Sequence, residues 1–332
     1  MPAQIDYLYM KTRPTKVISR LISYAFFEGR PVTTRGRWIN PLVFALFEME
    51  KRLPRIRKVD RPVFILGTGR SGTTILGVVL SMHRDVGFLN EPKALWHSVH
   101  SGEDLIGSYS RGPARYRLGA EDVTERTVRD AHRIFSAYLA LTNSRRVVDK
   151  YPELIFRVPF VRAIFPDAKF LFLVRNGWDT CTSIRRWSER LGVRVDEEVH
   201  DWWGVDNRKW RLLVEQILPE VPCFRDNIEE IKGLSDHADM AALEWVVTMK
   251  EGLRLLDEYP GEVHMVRYEE FVSSPEKTIG EMLRFCALPP DDKLLSYARG
   301  VLHRVEPRRP FRLHPAVEPA FRETMRSLGY DA

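Results

Sequence analysis

The amino-acid sequence predicts an α/β fold in which a central, mostly parallel β-sheet is flanked by helices. From Pro62 onward, short apolar runs alternate with longer stretches in which apolar residues recur at helical spacing. This alternation is typical of strands joined by crossover helices. Residues 1–60 lack the alternation and contain two helical stretches, 17–27 and 41–53. With 332 residues, the chain can bury the core that such a sheet requires.

Five apolar runs are predicted to be the strands of this sheet: residues 63–66, 86–89, 146–148, 169–174 and 263–266. Helical patterns lie between several of them, at residues 75–82, 128–141 and 241–258. Ser274 followed by Pro275 has the pattern of an N-cap and a first helical residue, so a helix is expected from there to about residue 286.

Positive charge is concentrated in residues 1–60, which hold 12 Lys and Arg against 5 Asp and Glu, whereas the rest of the chain is nearly neutral. We therefore divide the chain into a basic helical extension, 1–60, and a domain, 61–332. The excess fits either a solvated basic arm or a contact for an anionic partner or membrane surface. No apolar run approaches the length of a bilayer, and the three cysteines have no metal-binding spacing. We expect a cytoplasmic protein, with peripheral membrane contact as an option.

Polar or ionisable residues follow each predicted strand. They are Arg70, Asn90 with Glu91, Asp149 with Lys150, Arg175 with Asn176, and Arg267 with Tyr268 and Glu269. In open α/β sheets, ligands bind outside the carboxyl ends of the strands. We therefore expect these five segments to converge on one cleft.

The first of these segments, "ILGTGRSGTTIL" at residues 65–76, is predicted to bind an anion. Its glycines permit a tight turn, the following helix offers free amide groups, and Arg70 adds a fixed positive charge. Nucleotide-binding loops of this form have a lysine where this chain has Thr73. Asp149 is the only fair candidate for the acidic residue that helps to hold magnesium in such proteins. An anion that needs less charge neutralisation, and no metal, therefore fits better.

A second anion site is predicted in "FLFLVRNGWDTCTSI", where Arg175 ends a strand and Ser183 follows eight residues later. A guanidinium and a hydroxyl at this spacing can enclose one dianion. Together the two segments resemble those of the sulfotransferases that use 3′-phosphoadenosine 5′-phosphosulfate (PAPS). The stretch "VHMVRYEEFVSSPEKTIGEMLRFCAL" resembles a third part of the same family. The form "GRSGTT" of the first loop, with arginine where the cytosolic small-molecule branch has lysine, is closer to the carbohydrate, tyrosylprotein and bacterial branches.

The resemblance implies a three-layer fold like that of the P-loop nucleoside triphosphatases, and a metal-independent transferase with PAPS as donor. It implies that the first loop binds the phosphosulfate and that Arg175 and Ser183 bind the 3′-phosphate. The implied loop residues are Gly69, Arg70, Ser71, Gly72, Thr73 and Thr74. Ile75 stands where many cytosolic members place an adenine-stacking tryptophan, so the adenine contact is unassigned. A basic cluster, Arg304, Arg308 and Arg309, is a candidate substitute for their carboxy-terminal motif, and a solvated loop fits it as well.

The resemblance also suggests the catalytic residues: Glu91 as the general base, Lys150 assisting the leaving group, and Arg70 stabilising charge. His83 and His97 are competing bases, because cytosolic members use a histidine. Simple ion pairs would also explain Glu91, with Lys93 or Arg70, and Lys150, with Asp149 or Glu153.

The acceptor is expected to be a hydroxyl compound, with a saccharide or glycolipid as the leading hypothesis. A helical insertion around residues 184–245 is predicted to bind it. Tryptophans are frequent from residue 178 to 245 and can carry a sugar ring or simply belong to the core: Trp178, Trp187, Trp202, Trp203, Trp210 and Trp245. A phenol, a tyrosine side chain or another small alcohol stays open as acceptor. A kinase using ATP, or a non-catalytic nucleotide-binding protein, is the alternative function.

Overall fold

A five-stranded, fully parallel sheet forms the centre of the molecule in the computed structural model, which describes residues 2–304, 306–308 and 310–331. The described residues form eight strands: β1 (Val63–Gly67), β2 (Val86–Asn90), β3 (Arg146–Lys150), β4 (Lys169–Val174), β5 (Val193–Val195), β6 (Glu198–Asp201), β7 (Gly204–Val205) and β8 (Val263–Arg267). The order in the large sheet is β2-β3-β1-β4-β8. All five predicted strands are therefore confirmed. Asp149 and Lys150 belong to the end of β3, whereas the sequence pattern placed them just after it.

The α-helices precede, connect and follow these strands. They are α1 (Tyr7–Thr12), α2 (Thr15–Ile22), α3 (Asn40–Glu50), α4 (Thr73–Ser81), α5 (Lys93–Val99), α6 (Glu125–Leu141), α7 (Val158–Ile164), α8 (Gly177–Leu191), α9 (Arg208–Gln216), α10 (Ile228–Lys232), α11 (His237–Glu258), α12 (Tyr268–Ser273), α13 (Pro275–Phe285), α14 (Asp292–Val301) and α15 (Glu318–Ser327). The helix predicted over residues 17–27 ends earlier, because a wider turn at Ser23–Phe27 follows α2. Ser274 precedes α13 with Pro275 as its first residue, as predicted.

Two apolar cores lie on opposite faces of the sheet, because successive residues of a strand point to opposite sides. In β1, Phe64 and Leu66 pack in one core with α5, α6, α7, α8 and α11, whereas Val63 and Ile65 pack in the other with α4, α13 and α14. The result is the three-layer α/β arrangement predicted from the sequence.

The carboxyl ends of the strands lie at one edge of the sheet and are close in register. Gly67 of β1 pairs with Leu173 of β4, Asn90 of β2 pairs with Lys150 of β3, and Val174 pairs with Arg267 of β8. The polar residues that end or follow these strands are therefore held along a single edge by backbone pairing.

The amino-terminal segment covers the edge strand β2 and is built into the domain. Lys16 Nζ donates to the carbonyl of Val86 at 2.6 Å and Arg20 Nη1 to that of Phe88 at 3.3 Å. Glu28, which forms a buried ion pair with Arg20, accepts the amide of Asn90 at 2.8 Å. These contacts satisfy backbone groups that an edge strand otherwise leaves unpaired. Part of the basic charge predicted to form a solvated arm is therefore structural.

The stretch from residue 184 to 245 is mixed in structure. It contains the end of α8, a small antiparallel sheet of order β5-β6-β7, and helices α9, α10 and the start of α11. The strands were not predicted, because β5 and β7 are only three and two residues long. Among the residues described, no helix is both long and apolar enough to cross a membrane.

Candidate active site

The predicted anion-binding loop, residues 68–72, connects β1 to α4 at the carboxyl edge of the sheet. Its flanking glycines, Gly67 with φ +138° and Gly72 with φ +103°, adopt backbone conformations that favour glycine. A Cβ on Gly72 would lie 2.4 Å from Cδ2 of Tyr268, so the loop also packs directly on that ring. Because Gly72 has no side chain to cap α4, the amides of the first turn of this helix are available to an anion.

Arg70 of this loop contacts Ser183 of α8, so the two predicted anion-binding segments meet. Nε of Arg70 donates to Oγ of Ser183 at 3.2 Å across 113 positions of sequence. Helix α8 starts directly after β4, and the side chain of Asn176 accepts the amide of Trp178 at 2.9 Å to cap its first turn. One cleft therefore contains both segments that the sequence analysis assigned to anions.

Arg175 lies beside this contact with part of its guanidinium group free. Its side chain stacks over Tyr268 at 4.2 Å from the ring centre, and Nη2 donates to Asp179 at 3.3 Å. Its buried Nε has no hydrogen-bond partner among the described residues. A cavity of about 440 Å³ adjoins it, with Tyr268, Tyr330 and Arg304 in its walls. These features suit a phosphate-bearing ligand, because a buried guanidinium N–H gains a hydrogen bond when an anion enters.

Of the basic cluster predicted near the carboxyl end, two members are described. Arg304 lines the cavity beside Arg175, and the backbone amide of Arg308 donates to Oδ1 of Asp179 at 2.7 Å. Arg309 lies outside the described residues.

Glu91 follows β2 and is held between two lysines. Its φ is +51°, and its amide donates to the carbonyl of Lys150 at 2.7 Å, which anchors it to the neighbouring strand. Its carboxylate forms an ion pair with the ammonium group of Lys150 and lies 3.7 Å from that of Lys93. Partial burial raises the pKa of Glu91, but the two ammonium groups more than offset this, so the pKa is below its ordinary value. The carboxylate is therefore ionised at neutral pH and able to accept a proton.

A chain of alternating buried charges continues from Glu91 into the molecule. Lys93 lies 3.4 Å from Glu153, Lys209 lies 3.4 Å from the same carboxylate, and Lys209 pairs with Glu244 at 2.5 Å. Glu244 also accepts the indole N–H of Trp202 at 2.7 Å. Burial raises the pKa of Glu153, but Lys93 and Lys209 lower it by more. The pKa of Glu153 is therefore well below its ordinary value. Each buried charge has an opposite neighbour, which is the condition for keeping such groups ionised away from water.

A cavity of about 180 Å³ opens beside Glu91 and touches the anion-binding loop. Its wall is formed by parts of the chain that are distant in sequence, including residues 31–34, Gly69 of the loop, Glu91 with Lys93, Glu153, and the stretch that carries Trp187, His200, Asp201, Trp202 and Lys209. Trp202 lies against Gly69, where a Cβ would be 2.4 Å from Cη2 of the indole. Trp187 packs edge-on against Trp202 at 5.5 Å between ring centres. The anion-binding loop and this cavity therefore share a wall.

His83 and His97, the two histidines considered as alternative bases, lie outside the cavity beside Glu91. His83 is fully buried in the turn before β2, where Nε2 contacts the carbonyl of Pro289 at 2.9 Å and Nδ1 accepts the amide of Asp85. This turn is at the amino end of β2, opposite the cleft. His97 stacks on Tyr109 at 5.8 Å and is not part of the cavity wall.

Asp149, the candidate magnesium ligand of the ATP-based alternative, is completely buried, and its Oδ2 accepts the indole N–H of Trp96 at 2.8 Å. Burial raises the pKa of Asp149 to about 8. Lys150, the next residue of the strand, points to the opposite face and to Glu91. In the part of the chain that the structure describes, no three His, Cys, Asp or Glu side chains gather into a possible metal site.

Four of the six tryptophans considered as acceptor contacts, Trp178, Trp203, Trp210 and Trp245, are buried core residues, whereas Trp187 and Trp202 line the cavity. Lys209, Glu244 and His200 of this site were not predicted from sequence. Locally, Lys209 is one of three basic residues in the first half of α9, with Arg208 and Arg211, and such residues are ordinarily solvated.

Comparison with known proteins finds a resemblance to one family. The model described as "Sulfotransferase family" matches residues 62–220. Nodulation protein NoeE of Sinorhizobium fredii is 27% identical over 232 residues, covering 66% of this chain and 48% of that protein. A protein-tyrosine sulfotransferase of Drosophila melanogaster is 24% identical over 275 residues, covering 78% of this chain and 52% of that protein.

Among solved structures, the sulfotransferase domain of the Synechococcus PCC 7002 olefin synthase has a TM-score of 0.48 at 16% identity, covering 84% of this chain and 98% of that one. The chain spans about a third to a half of the length of the curated relatives that it matches. Both anion-binding segments fall inside the stretch that the family model matches. Residues 62–220 of this chain therefore resemble the sulfotransferase family.

Proposed function

We propose that this protein transfers the sulfuryl group of PAPS to a hydroxyl group of an acceptor, with Glu91 as general base. The observation that carries the proposal is the contact between Arg70 and Ser183, because it joins two anion-binding segments next to a cavity with an ionised carboxylate. PAPS has two separate anionic groups, a 5′-phosphosulfate and a 3′-phosphate. A cleft with two adjoining anion sites fits both.

Each anionic group has its own set of residues in this proposal. The 5′-phosphosulfate is bound by the amides of the 68–72 loop, the first turn of α4 and Arg70, with Thr73 and Thr74 as hydroxyl donors. The 3′-phosphate is bound by Arg175 and Ser183. Nε of Arg175 and the hydroxyl of Thr68 have no hydrogen-bond partner among the residues that the structure describes, and such a ligand would satisfy them. The rings of Tyr268 and Tyr330 offer walls for the adenosine.

PAPS supplies the sulfuryl group when it is bound. Glu91 accepts the proton that the acceptor hydroxyl loses as its oxygen bonds to sulfur. Arg70, Lys150 and the amides at the start of α4 stabilise the negative charge that collects on the departing phosphate oxygen. Lys150 has a second effect, since its ammonium group keeps Glu91 ionised.

The acceptor that we propose is a saccharide or glycolipid. Support comes from the two cavity tryptophans, Trp187 and Trp202, and from the polar groups around them, which include an unpartnered Oε2 of Glu153. Aromatic faces beside carboxylates are suited to a sugar ring with several hydroxyls. A tyrosine side chain is the competing acceptor, because one matched relative is a protein-tyrosine sulfotransferase.

Calorimetry with the desulfated product PAP, in parallel with magnesium ATP, tests the donor. We expect PAP to bind and magnesium ATP to bind far more weakly. Arg175→Ala is expected to weaken the binding of PAP much more than the binding of adenosine 5′-phosphosulfate, which has no 3′-phosphate. Tight magnesium ATP binding with none for PAP would overturn the proposal, and equal losses for the two ligands would overturn the 3′-phosphate assignment.

Turnover of radiolabelled PAPS with saccharide, lipid-linked saccharide and tyrosyl-peptide acceptors tests the reaction. Glu91→Gln is expected to lower kcat by about 10²–10⁴-fold while PAP affinity changes little, because the change removes only the proton acceptor. The matched control is Glu323→Gln, an exposed glutamate on α15. Full turnover by Glu91→Gln rules out its role as base.

A further inference from the structure

The segment from Arg35 to Ile56 has a surface that is both apolar and positively charged. Ten of the fifteen large apolar side chains that are exposed in the described structure lie between residues 7 and 56. Three exposed apolar side chains recur at helical spacing along α3, namely Leu42 (50% exposed), Ala45 and Met49 (52%). Two large exposed apolar side chains lie on its flanks, Trp38 (83%) before the helix and Ile56 (63%) after it. Helix α3 therefore has apolar residues on two faces. Val43 and Phe47 of the opposite face are completely buried.

Basic residues flank this apolar stripe. Arg35, Arg37, Arg52 and Arg55 are exposed and make no ion pair with any residue that the structure describes. The two acidic residues nearby do not offset them. Glu48 pairs with Lys51, and Glu50 is buried with its pKa raised to about 8 by burial. Three further amino-terminal basic residues have structural partners: Lys16 and Arg20 on β2, and Arg13 on Asp291.

We infer that this surface, Trp38, Leu42, Ala45, Met49 and Ile56 with the four arginines around them, docks onto an anionic membrane. An exposed apolar stripe with a tryptophan and a cationic border has the composition of helices that lie in the lipid headgroup region. An uncharged protein partner would leave the four arginines without a counter-ion. Anionic lipid headgroups satisfy both features at once.

The docking surface is close to the cavity beside Glu91. Residues 31–34 form part of the cavity wall, and Trp38 is only four residues further along the chain. Four residues span at most about 14 Å. Insertion of Trp38 and Leu42 into the headgroup region would therefore hold the cavity at the membrane surface. Membrane docking does not depend on the proposed sulfotransferase activity. The idea that docking brings a lipid-linked acceptor to the cavity does rest on that proposed activity.

Cosedimentation with vesicles tests the inference. We expect the wild-type protein to bind phosphatidylcholine vesicles that contain about 30% phosphatidylglycerol, and to bind much more weakly when the anionic lipid is left out or the salt is raised to about 0.5 M. Arg35→Gln, Arg37→Gln and Arg52→Gln combined are expected to lower the partition coefficient by about a hundredfold, since each basic residue contributes about fivefold. Trp38→Ser with Leu42→Ser should also abolish most binding at low salt.

Two controls keep the outcomes separate. Leu141→Ser and Arg126→Gln alter an exposed apolar and an exposed basic residue of α6 and should bind vesicles like the wild type. PAP affinity should be unchanged in every variant, which separates this inference from the proposed activity. Absence of wild-type vesicle binding, or equal binding by the docking-surface variants, overturns the inference. A wild-type dimer that Trp38→Ser converts to a monomer, seen by light scattering without vesicle binding, assigns the surface to a second copy and overturns it too.

Discussion

Glu91 depends on Lys150 and Lys93 for its ionisation state. A carboxylate beside two ammonium groups keeps its charge at a pH where a lone buried glutamate would be protonated. The cost is a weaker base, because a lower pKa also lowers the affinity for the proton. The charge chain through Glu153, Lys209 and Glu244 holds Lys93 in place.

This arrangement predicts a pH effect for Lys93→Met. The folded pKa of Glu91 is below its ordinary value, so in the wild type the acidic limb of kcat/KM should lie below the pH range of an ordinary glutamate. Removal of Lys93 takes away one of the charges that lower this pKa, so the limb should move to higher pH. The measurement is the pH profile of kcat/KM.

Lys277→Met, which alters an exposed lysine on α13, is the control and should leave the limb in place. Lys93→Arg keeps the charge and is expected to keep the limb near its wild-type position. An unshifted limb in a folded Lys93→Met variant would show that Lys93 does not set the ionisation of the base.

The backbone conformation of the loop between β1 and α4, and the side chains that pack on it, limit which residues the loop can contain. Gly67 and Gly72 supply the backbone conformations, whereas Gly69 is needed because Trp202 occupies the space of a side chain. The stretch around Trp202 is therefore part of the donor loop's environment as well as of the cavity. This contact links the element that we assign to the donor with the one that we assign to the acceptor.

Gly69→Ala tests this link between elements. Its Cβ would lie 2.4 Å from Trp202, so the loop or the indole must shift, and activity should fall on the order of 10–100-fold. The double variant Gly69→Ala with Trp202→Ala removes the clash. We expect its PAP affinity to return to that of Trp202→Ala alone.

Gly280→Ala, on α13, is the matched control, because a Cβ there meets nothing closer than 3.6 Å. It should leave PAP affinity and turnover unchanged. If Gly69→Ala is impaired to the same extent with and without Trp202, the loop backbone rather than the indole is responsible.

At the scale of the whole molecule, the amino-terminal segment and the sheet form one folded unit. Phe27, Val43 and Phe47 are completely buried in the larger core. Arg20 and Glu28 form a buried ion pair whose members also bind the backbone of β2. Residues 31–34 contribute to the cavity wall. The boundary near residue 60 is therefore a boundary in charge and sequence pattern, whereas the packing crosses it.

Arg20→Met tests this integration. It leaves Glu28 buried without its partner, so the free energy of unfolding should fall by about 3–5 kcal/mol, measured by urea denaturation. The loss should appear in one cooperative transition of the whole chain. Arg52→Met, an exposed arginine of the same segment, should change the free energy of unfolding by less than about 0.5 kcal/mol. A separate, weakly attached arm would give no loss for Arg20→Met.

The sequence by itself determined the parallel sheet, the 68–72 loop and the positions of Arg70, Arg175, Ser183 and Glu91 at one edge. These features follow from local rules: apolar runs specify strands, glycines specify the turn, and parallel strands bring their carboxyl ends together. Their proximity could be predicted because backbone pairing fixes it.

Only the tertiary structure decided which side chains surround Glu91 and what forms the cavity. The sequence indicated Lys93 as a possible partner of Glu91 and placed Lys150 in the same cleft, but the continuation of the charge chain through Lys209 and Glu244 comes from elements with no local signal that they meet. The same holds for Trp202 against Gly69 and for Lys16 and Arg20 against β2. Such contacts depend on how helices pack across the sheet and on which charges are buried together. No periodicity or spacing within a single segment encodes that outcome.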